Sequence, residues 1–421
     1  MPHAHTDVVV IGAGIAGLAA ARAIAEAGSG VVLLEARDRI GGRILTARDP
    51  HTDLAIELGA EFVHGRPPEL FDLIREAGLT LYEREGDFLC YENGKLGDCG
   101  FFNEAFAILD ELPASPDIPF TEFLAQARLP EHVARRITGY VEGFNAADAA
   151  RIGTAALRKQ QQAEEAIEGD RSSFRIVEGY DRLAEYVRSR FLAAGGQLYL
   201  STRAVSMQRK PGEVRIATSN PALPEVVAPQ AVIAVPLGVL QSGSLPITPE
   251  PSLSIAAIGK LAMGSATRIS LLFHERFWEG AAPNLSFLFA QDKIPPTWWT
   301  AAPNRSPILT GWIAGPRALR APGNAALKDQ ALATLSAIFE RSDLDTLLVS
   351  SHIHDWQSDP FSRGAYSYAP AGALSASYDL AVPVDNTLYF AGEHTDTTGH
   401  WGTVHAALRS GLRAASQILS S

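Results

Sequence analysis

Three glycines near the N-terminus have the spacing of a loop that holds a phosphate group. Gly12, Gly14 and Gly17, with Ala16 before the last of them, follow directly after an apolar run at residues 7–11. The first glycine permits a tight turn, the second lets the backbone approach a pyrophosphate, and the third lets the following helix pack on the strand. Because the positive end of that helix faces the phosphates, such a loop needs no lysine.

An acidic residue and two arginines extend this loop into a site for a dinucleotide. Glu35 ends a second apolar run at residues 30–34, where a carboxylate accepts hydrogen bonds from ribose hydroxyls and repels a 2′-phosphate. Arg39 and Arg43 follow it in the chain. The spacing therefore predicts a pocket for adenosine and pyrophosphate.

These side chains need a strand–helix–strand unit to position them. Residues 7–11 and 30–34 are apolar and rich in β-branched side chains, which is typical of buried parallel strands, and the alanine-rich residues 18–27 favour a helix between them. A second stretch of similar character lies at the C-terminus, where a strand at 387–390 precedes a glycine turn and a helix at 403–419. We therefore predict an α/β fold whose cofactor domain is assembled from separated segments.

Composition limits the possible partners. A chain of 421 residues with 46% hydrophobic residues can bury a large core in two or three domains. The formal net charge of −11 argues against nucleic acid as a partner and is compatible with a cationic substrate. No apolar run reaches about 18 residues, so no membrane span is predicted. The first strand begins almost at once, which leaves no room for a signal peptide and favours a cytoplasmic protein.

Cysteine is sparse in this chain. Cys90 and Cys99 are too few and too isolated for a disulfide framework or a metal site. We therefore expect two ordinary thiols in a reducing compartment, and no bound metal.

The stretch from Glu35 to Arg43 resembles the signature that follows the second strand in FAD proteins of the glutathione-reductase-like fold, and it is most similar to their amine oxidase branch. Five further stretches resemble flavin-dependent amine oxidases, especially polyamine oxidases and lysine-specific histone demethylases. They occur in the family's order and span nearly the whole chain. The stretches are residues 57–65, 236–240, 268–278, 356–368, and 389–395 with 403–405. The resemblance implies FAD as the cofactor.

The resemblance also implies a division of the chain. We expect a Rossmann-like FAD-binding domain assembled from discontinuous segments, and a mixed α+β substrate-binding domain with a helical insertion. The FAD-binding segments are residues 1–78, 177–250 and 356–421. The substrate-binding segments are residues 79–176 and 251–355, of which residues 101–172 are expected to be mainly helical.

The residues at the family's cofactor positions are expected to contact FAD. They are Gly12, Gly14, Ala16, Gly17, Glu35, Arg37, Arg43, Gly59, Ala60, Val205, Trp356, Gly392, Glu393, Thr403 and Val404. The resemblance implies that small residues at Gly59 and Ala60 leave room for the isoalloxazine ring, and that Val205 packs on the adenine. It also implies that the helix starting at Thr403 and Val404 faces the flavin, where its dipole stabilises the anionic reduced form.

Two positions bear on how the cofactor is held. The resemblance places Glu393 at the ribityl or phosphate region, with a helix cap or a structural ion pair as the alternative. Monoamine oxidases attach their flavin covalently through a cysteine in the stretch that matches residues 363–366. This chain has Ala365 there, so we expect noncovalent FAD.

Arg268 stands where most family members carry a lysine near flavin N5. Arginine keeps the positive charge, but it cannot release its proton, and its fork suits carboxylates. Proton transfer by the family's usual route is therefore in doubt. Three interpretations follow: low oxygen reactivity, a substrate with an anionic group, or an arginine that turns away and pairs with a structural acid.

Tyr366 and His64 match two further catalytic positions. Tyr366 corresponds to one half of the aromatic cage that orients the amine in the family. The other half falls at Thr403, so no cage of two tyrosines is predicted. The alternative is that Tyr366 is an ordinary aromatic residue of the core. His64 matches the position at the mouth of the substrate tunnel in polyamine oxidases. It or Glu61 could recognise a charged substrate group. The alternative is that His64 is a structural histidine whose hydrogen bonds are made within the protein. The tryptophans at residues 298–299 either line the pocket or pack in the core.

These features predict an FAD-dependent amine oxidase. Hydride would pass from an amine carbon to flavin N5, the imine would hydrolyse to an aldehyde or ketone, and molecular oxygen would reoxidise the flavin and yield hydrogen peroxide. One alternative is an FAD-dependent dehydrogenase or desaturase that acts on a non-amine or carboxylate-bearing substrate with weak oxygen reactivity. Another is an FAD-containing binding protein without turnover. The identity of the amine and the oligomeric state stay open.

Overall fold

A computed structural model describes residues 3–50, 52–100, 107–113 and 115–421, and a five-stranded parallel sheet lies at its centre. In spatial order the strands are Gln197–Tyr199, Val31–Leu34, Val8–Ile11, Gln230–Ile233 and Leu388–Phe390. Every residue of Val8–Ile11 and Val31–Leu34 is buried, as expected for parallel strands that are covered on both faces. The sheet thus joins segments from both ends of the chain.

Helices cover one face of the parallel sheet, and a second sheet covers the other. Val8 and Val10 contact the helices, whereas Val9 and Ile11 contact the second sheet, as the two-residue period of a strand requires. The covering helices are Ile15–Glu26, Asp181–Ala193 and Val404–Leu419. The second sheet consists, in spatial order, of His3–His5, Glu225–Ala228, Glu213–Thr218, Ala204–Lys210 and Ile247–Thr248.

Two glycines allow backbone to touch backbone where these helices meet the glycine loop. A Cβ added at Gly17 would lie 1.8 Å from the carbonyl oxygen of Gly12, and one at Gly411 would lie 2.1 Å from that of Ala16. Gly12 itself has a φ of +99°, which favours glycine. Gly17 therefore has the packing role expected of the third glycine, and Gly411 adds a close contact that no motif indicated.

A seven-stranded sheet forms the second large unit. Its spatial order is Leu348–Asp355, Ala266–Phe273, Ile308–Ala314, Thr297–Trp299, Leu285–Phe289, Asp87–Glu92 and Lys95–Asp98. Neighbours are antiparallel except Leu285–Phe289 and Asp87–Glu92, which run parallel. The helix Asn324–Phe339 buries Leu327 and Leu335 against this sheet. This parallel pair joins a strand that comes before residues 101–172 in the chain to a strand that comes after them.

Three helices occupy much of residues 115–172. They are Phe120–Ala127, Glu131–Asn145 and Thr154–Glu165. Residues 101–106 and 114, which belong to the stretch predicted to be helical, lie outside the described residues.

Shorter elements complete the fold. The other helices are Pro68–Glu76, Leu237–Gln241, Ser252–Lys260, Leu344–Leu347 and Ala376–Ala381, with 3₁₀ turns at Gly315–Arg320 and Glu393–Thr395. The small sheets pair Val63–His64 and Leu81–Glu83 with Ser173–Ile176, Thr46–Arg48 with Ala55–Glu57, and Ala262–Met263 with Ser367–Tyr368. Within the described ranges, no helix has the length and apolar character needed to cross a membrane.

The two cysteines form a disulfide, so the expectation of two separate thiols was wrong. Cys90 lies on the strand Asp87–Glu92, and the hairpin that follows brings the Cα of Cys99 to 5.1 Å from that of Cys90. The hairpin turns at Asn93 and Gly94, which both have positive φ and form the dipeptide most typical of a two-residue hairpin turn. The separation of the two cysteines along the chain suggested that they are far apart. The Asn93–Gly94 turn between them indicates instead that they lie close together.

The contact at Gly411 yields a stability prediction. Gly411→Ala is expected to destabilise the protein by about 1–3 kcal/mol and lower its Tm, because the new Cβ would overlap the Ala16 carbonyl. Gly259→Ala is the matched control: Gly259 is also helical, but a Cβ there meets no atom within 4 Å, so its Tm should be unchanged or slightly higher. Thermal unfolding of both variants checks this. Equal Tm values would contradict the close helix contact.

Candidate active site

A cavity of about 350 Å³ lies at the carboxyl ends of the parallel strands, where ligands bind in open α/β sheets. Its wall is formed by loops from the N-terminal, central and C-terminal parts of the chain. The predicted residues that line it are Gly12, Gly14, Ala16, Glu35, Arg37, Arg43, Gly59, Ala60, Trp356, Tyr366, Gly392, Glu393, Thr403 and Val404. The fold therefore brings most of the predicted site into one cavity.

The glycine loop presents an open cradle on this wall. A Cβ added to Gly14 would meet no protein atom within 4 Å, although Gly14 lines the cavity. The helix Ile15–Glu26 starts here without a side-chain cap and without an acidic residue in its first turn. Its first N–H groups and the positive end of its dipole therefore suit an anion such as a pyrophosphate.

Glu35 ties the glycine loop to the end of the second strand. Its Oε2 accepts a hydrogen bond from the Ala13 N–H at 2.7 Å, and its Oε1 accepts one from the Arg37 N–H at 2.9 Å. Burial raises the pKa of Glu35, and the two backbone donors oppose that shift. The carboxyl group is thus oriented on the wall, with lone pairs left for a ribose hydroxyl.

Arg37 and Arg39 brace the loop that follows Glu35. Arg37 Nη2 donates to Asp359 Oδ1 at 2.7 Å. Burial alone would raise the pKa of Asp359, but hydrogen bonds from His354 and Arg37 hold it well below its usual range. Arg39 donates to three carbonyl groups within residues 40–44. Arg37 therefore ties this loop to the side chain of Asp359, and Arg39 fixes the backbone of residues 40–44.

Arg43 and Glu393 form an ion pair on the cavity wall. Arg43 Nη1 lies 2.8 Å from Glu393 Oε1 and also donates to the Ala365 carbonyl at 2.8 Å. Glu393 accepts further hydrogen bonds from the Ser367 hydroxyl at 2.7 Å and the Gly402 N–H at 3.0 Å. Burial would raise the pKa of Glu393, but the adjacent charge of Arg43 outweighs it and the pKa is lowered. The ionised carboxylate thus joins separate segments of the wall.

Gly59 and Ala60 are small residues on the cavity wall. A Cβ at Gly59 would lie 1.9 Å from the Arg43 carbonyl oxygen and 3.1 Å from the Trp356 ring, so a larger residue does not fit. Trp356 is fixed by a hydrogen bond from its Nε1 to the Leu58 carbonyl at 3.0 Å. A wall of this kind leaves room for a planar ring.

The last helix, Val404–Leu419, begins at the cavity. Thr403 caps it, because its Oγ1 accepts a hydrogen bond from the Ala406 N–H at 3.1 Å and donates to the His400 carbonyl at 2.7 Å. Thr403 and Val404 line the cavity, so the positive end of the helix dipole lies at its wall. This end of the cavity is suited to stabilise negative charge.

Two residues predicted at the cofactor lie off the cavity wall. Gly17 packs beneath the loop, and Val205 lies where the strand register shifts between Ala204 and Ser206. Arg203 and Ala204 line the cavity in its place. Residue types do not reveal a local irregularity of this kind.

Tyr366 and Trp312 add aromatic surface to the cavity. The Tyr366 hydroxyl donates to the Phe144 carbonyl at 2.6 Å, and burial raises the pKa of Tyr366 so that it stays protonated. Trp312 Nε1 donates to the Gly143 carbonyl at 2.9 Å. The motifs did not indicate Trp312. Trp312 could have been found only from the pairing of strands, because it lies opposite Arg268 in the sheet.

Arg268 lies behind the wall formed by Gly59. Its Nη1 donates to the Gly59 carbonyl at 3.1 Å, its Nη2 forms an ion pair with Glu61, and its guanidinium lies 5.2 Å from the centre of a Trp299 ring. Arg268 lines a second cavity of about 80 Å³ and is absent from the described wall of the main one. One interpretation of Arg268 from the sequence was that it pairs with a structural acid, and the ion pair with Glu61 is such a pairing.

Glu61 is shared among two arginines and a tryptophan. Besides Arg268, it pairs with Arg175 Nε at 3.0 Å and accepts a hydrogen bond from Trp299 Nε1 at 2.9 Å. Burial would raise the pKa of Glu61, but the charges of the two arginines lower it. Its carboxylate is thus occupied within the protein. It is not free to bind a charged substrate group, which the sequence suggested as one of its roles.

His64 and Trp298 lie outside the described wall of the main cavity. The His64 ring lies between Phe62 and Phe144, at centroid distances of 6.0 and 5.9 Å. Burial, assisted by the charge of Arg84, lowers the pKa of His64 to about 4, so its imidazole is neutral at physiological pH. Trp298 is fully buried in the core of the seven-stranded sheet.

Comparison with known proteins identifies the family. A family model described as flavin containing amine oxidoreductase matches residues 15–168 and 109–419. The chain belongs to this family. Polyamine oxidase 2 of Arabidopsis thaliana is 31% identical over 454 residues, covering 97% of this chain and 87% of that protein. Lysine-specific histone demethylase 1 homolog 1 of the same plant is 28% identical, covering 98% of this chain and 52% of that protein.

Solved structures share the fold of this chain. A putrescine oxidase bound to putrescine aligns with a TM-score of 0.84 at 20% identity over 100% of both chains. Cyclohexylamine oxidase from Brevibacterium oxydans aligns with a TM-score of 0.83 at 20% identity over 99% of both chains. The predicted fold and family resemblance are confirmed, and the protein is an enzyme of the flavin amine oxidoreductase class.

The cavity of this amine oxidoreductase fits a flavin. The open cradle at Gly14, the two helix N-termini and the small residue Gly59 suit the phosphate and ring parts of such a cofactor. Trp356 and Arg43 enclose Gly59, so this part of the wall is preformed. The residues present therefore suit a flavin.

The cradle at Gly14 can be tested by filling it. Gly14→Val is expected to lower flavin affinity at least about 10-fold, because its side chain would occupy space beside the helix N-terminus. The Tm of the apoprotein should stay near the unmodified value, since no protein atom lies within 4 Å of the new Cβ. Flavin occupancy after purification and the Kd on reconstitution measure the effect. Full occupancy in a correctly folded variant would place the cofactor elsewhere.

Proposed function

We propose that the enzyme is an FAD-dependent amine oxidase that binds FAD noncovalently. The observation that carries the proposal is that the N-termini of Ile15–Glu26 and Val404–Leu419 line one cavity, together with the small residues Gly59 and Ala60. One helix N-terminus suits a pyrophosphate, and the other suits the negative charge of a reduced flavin ring. The placement of Glu35 at the strand end favours an adenosine ribose, and hence FAD over a mononucleotide.

An amine substrate is supported by the names of the relatives, which include polyamine and putrescine oxidases. The chemistry that FAD supplies when bound is hydride acceptance from the carbon beside the amine nitrogen and electron transfer to oxygen, with an imine (hydrolysed to an aldehyde or ketone) and hydrogen peroxide as products. The chain supplies position and desolvation. Because the polar atoms of Tyr366 and Trp312 already bond backbone carbonyls, these side chains offer the amine apolar surface.

The cavity favours the neutral form of the amine. Among the described residues that line it, the carboxylates are Glu35 and Glu393, and both already accept hydrogen bonds from the chain. An ammonium ion would lose its hydration there without gaining a free counter-ion. The amine therefore binds productively after it has lost its proton.

The rate of flavin reduction should follow the protonation of the amine. Below the pKa of the amine, the rate constant divided by Kd is expected to rise about tenfold per pH unit, and above it to level off. Anaerobic stopped-flow measurements with amines of different pKa check this. The inflection should move with the amine; an inflection at one fixed pH for all amines would indicate a titrating protein group instead.

The noncovalent attachment can be tested directly. Ala365 offers only a methyl group on the cavity wall, and its carbonyl accepts a hydrogen bond from Arg43. Acid precipitation of the purified protein is expected to release all of its flavin into the supernatant, where chromatography should identify it as FAD. Flavin that stays with the precipitate would show a covalent bond at another residue.

The oxidase activity is tested in two steps. A panel of monoamines, diamines, polyamines and amino acids is added without oxygen, and at least one amine is expected to bleach the flavin. Mixing the reduced enzyme with oxygen should then restore the flavin and yield one hydrogen peroxide per amine oxidised. If no compound bleaches the flavin, the protein binds FAD without turnover and the proposal fails.

A second candidate is a dehydrogenase with weak oxygen reactivity. The observation that favours it is the ion pair between Arg268 and Glu61, which offsets the positive charge behind the wall. The reoxidation step separates the candidates. Rapid recovery of the flavin with oxygen supports the oxidase, whereas slow recovery with rapid recovery by an artificial electron acceptor supports the dehydrogenase.

A further inference from the structure

The second cavity, of about 80 Å³, lies behind the wall at Gly59 and has no role in the proposed chemistry. The described walls of the two cavities share no residue. Val177, which is 47% exposed, and the exposed Asn304 line the second cavity, so it opens to solvent separately from the main one. The side chains that decide its chemistry are Glu57, Glu61, Tyr82, Arg175, Arg268 and Ser306.

Arg175 presents an unpaired donor at this cavity. Its side chain is only 4% exposed, and all residues of its strand, Ser173–Ile176, are buried. Its Nη1 donates to the Thr300 carbonyl at 2.6 Å, and its Nε lies 3.0 Å from Glu61 Oε1. Its Nη2 is buried and makes no hydrogen bond within the described part of the chain. A buried guanidinium with an unused N–H needs an acceptor that the protein does not supply.

Ser306 and Tyr82 add hydroxyl groups to the same cavity. Ser306 is buried, and its Oγ has no hydrogen-bond partner among the described residues. Burial raises the pKa of Tyr82, although the nearby charge of Arg175 opposes this, so the phenol stays protonated. A protonated hydroxyl donates to an acceptor beside it. One guanidinium and two hydroxyls therefore face a single small cavity.

The carboxylates on the wall are already held by the protein. Glu61 is shared by the two arginines of the cavity. Glu57 accepts hydrogen bonds from the Tyr180 N–H and from the Thr46 hydroxyl, both at 2.7 Å. The unused N–H of the guanidinium thus stays without a carboxylate partner.

The charge of this wall depends on Glu57. Burial raises the pKa of Glu57 to about 7; the charge of Glu61 adds to this shift, whereas Arg268 and the two hydrogen-bond donors oppose it. Tyr82 and Tyr180, which also face Glu57, stay protonated because burial raises the pKa of each. Below pH 7 the wall therefore carries two positive charges against one negative charge, and at higher pH the charges balance.

We propose that the second cavity binds a small monovalent anion, of the size of a halide or formate ion, with Arg175 and Ser306 as donors. An anion supplies the missing acceptor and balances the excess positive charge, whereas a cation would face two guanidinium groups. The cavity exceeds the roughly 10–15 Å³ that one water molecule requires, so an ion of a few heavy atoms fits.

Arg268 connects this anion site to the main cavity. Its Nη1 donates to the carbonyl of Gly59, and Gly59 lines the main cavity. An anion in the second cavity therefore lowers the positive charge behind the wall without entering the space proposed for the flavin. The inference does not depend on the proposed amine oxidase activity.

Bromide tests the site because its anomalous scattering distinguishes it from water. Crystals of the purified protein with its flavin are soaked in sodium bromide at a pH below 7. An anomalous peak is expected in the second cavity, within hydrogen-bond distance of Arg175 Nη2. Water alone in the cavity, or bromide confined to the protein surface, overturns the proposal. Neither result depends on whether an amine reduces the flavin, so a failure of the proposed function stays distinguishable.

Binding in solution separates a specific site from a weakly held ion. The Tm is measured as bromide replaces gluconate, which is too large for the cavity, at constant ionic strength; binding to the folded protein raises the Tm. Ser306→Ala is expected to raise the half-saturating bromide concentration several-fold, because it removes a donor. Ser254→Ala is the matched control, since it changes a buried serine that lines neither cavity. No saturation, or an equal response of both variants, shows an adventitious ion only and overturns the proposal.

The affinity for bromide should fall as Glu57 ionises. The half-saturating concentration is expected to be several-fold lower at about pH 6 than at about pH 8.5, because ionised Glu57 removes the excess positive charge. Glu57→Gln keeps an acceptor for its two donors but does not ionise, so it should bind bromide equally at both pH values. Equal or tighter binding at the higher pH in the unmodified protein overturns the charge balance proposed for the site.

Discussion

The ion pair between Arg43 and Glu393 holds distant parts of the chain around one cavity. Arg43 follows the glycine loop, whereas Glu393 follows the last strand of the parallel sheet, and their 2.8 Å contact fixes the two segments relative to each other. The same carboxylate binds Ser367 and Gly402, so it also sets the start of the last helix. Glycines without side chains then allow the helices to approach the loop as closely as this arrangement requires.

Pairing of buried charges is the second constraint on the site. Glu35 is satisfied by backbone N–H groups, Glu393 by Arg43, and Glu61 by two arginines, so the described carboxylates around the cavities are fixed before any ligand arrives. A wall of oriented dipoles and paired charges costs little reorganisation during a reaction. The same pairing removes free counter-ions for an ammonium group, which connects the electrostatics of the cavity to the form of the amine that binds.

The parts of the site set by local geometry are the parts that the sequence predicts. The glycine loop and Glu35 have fixed spacing because one turn, one helix and one strand separate them. The disulfide was not predicted because a hairpin turn brings Cys90 and Cys99 together, and Val205 lies at a register shift beside the lining residues Arg203 and Ala204. Arg268 could be located by its distance from a later motif, but its partner Glu61 and its sheet neighbour Trp312 depend on tertiary contacts that no spacing encodes.

The most direct test of the account is a crystal structure of the purified protein with its flavin. The account predicts an FAD whose pyrophosphate lies at the N-terminus of Ile15–Glu26 and whose ring lies against Gly59 and Ala60, with its edge at Thr403 and no covalent bond to the protein. The ion pair of Arg43 with Glu393 should persist. A flavin bound elsewhere, or a ring remote from Gly59, would contradict the assignment of the cavity.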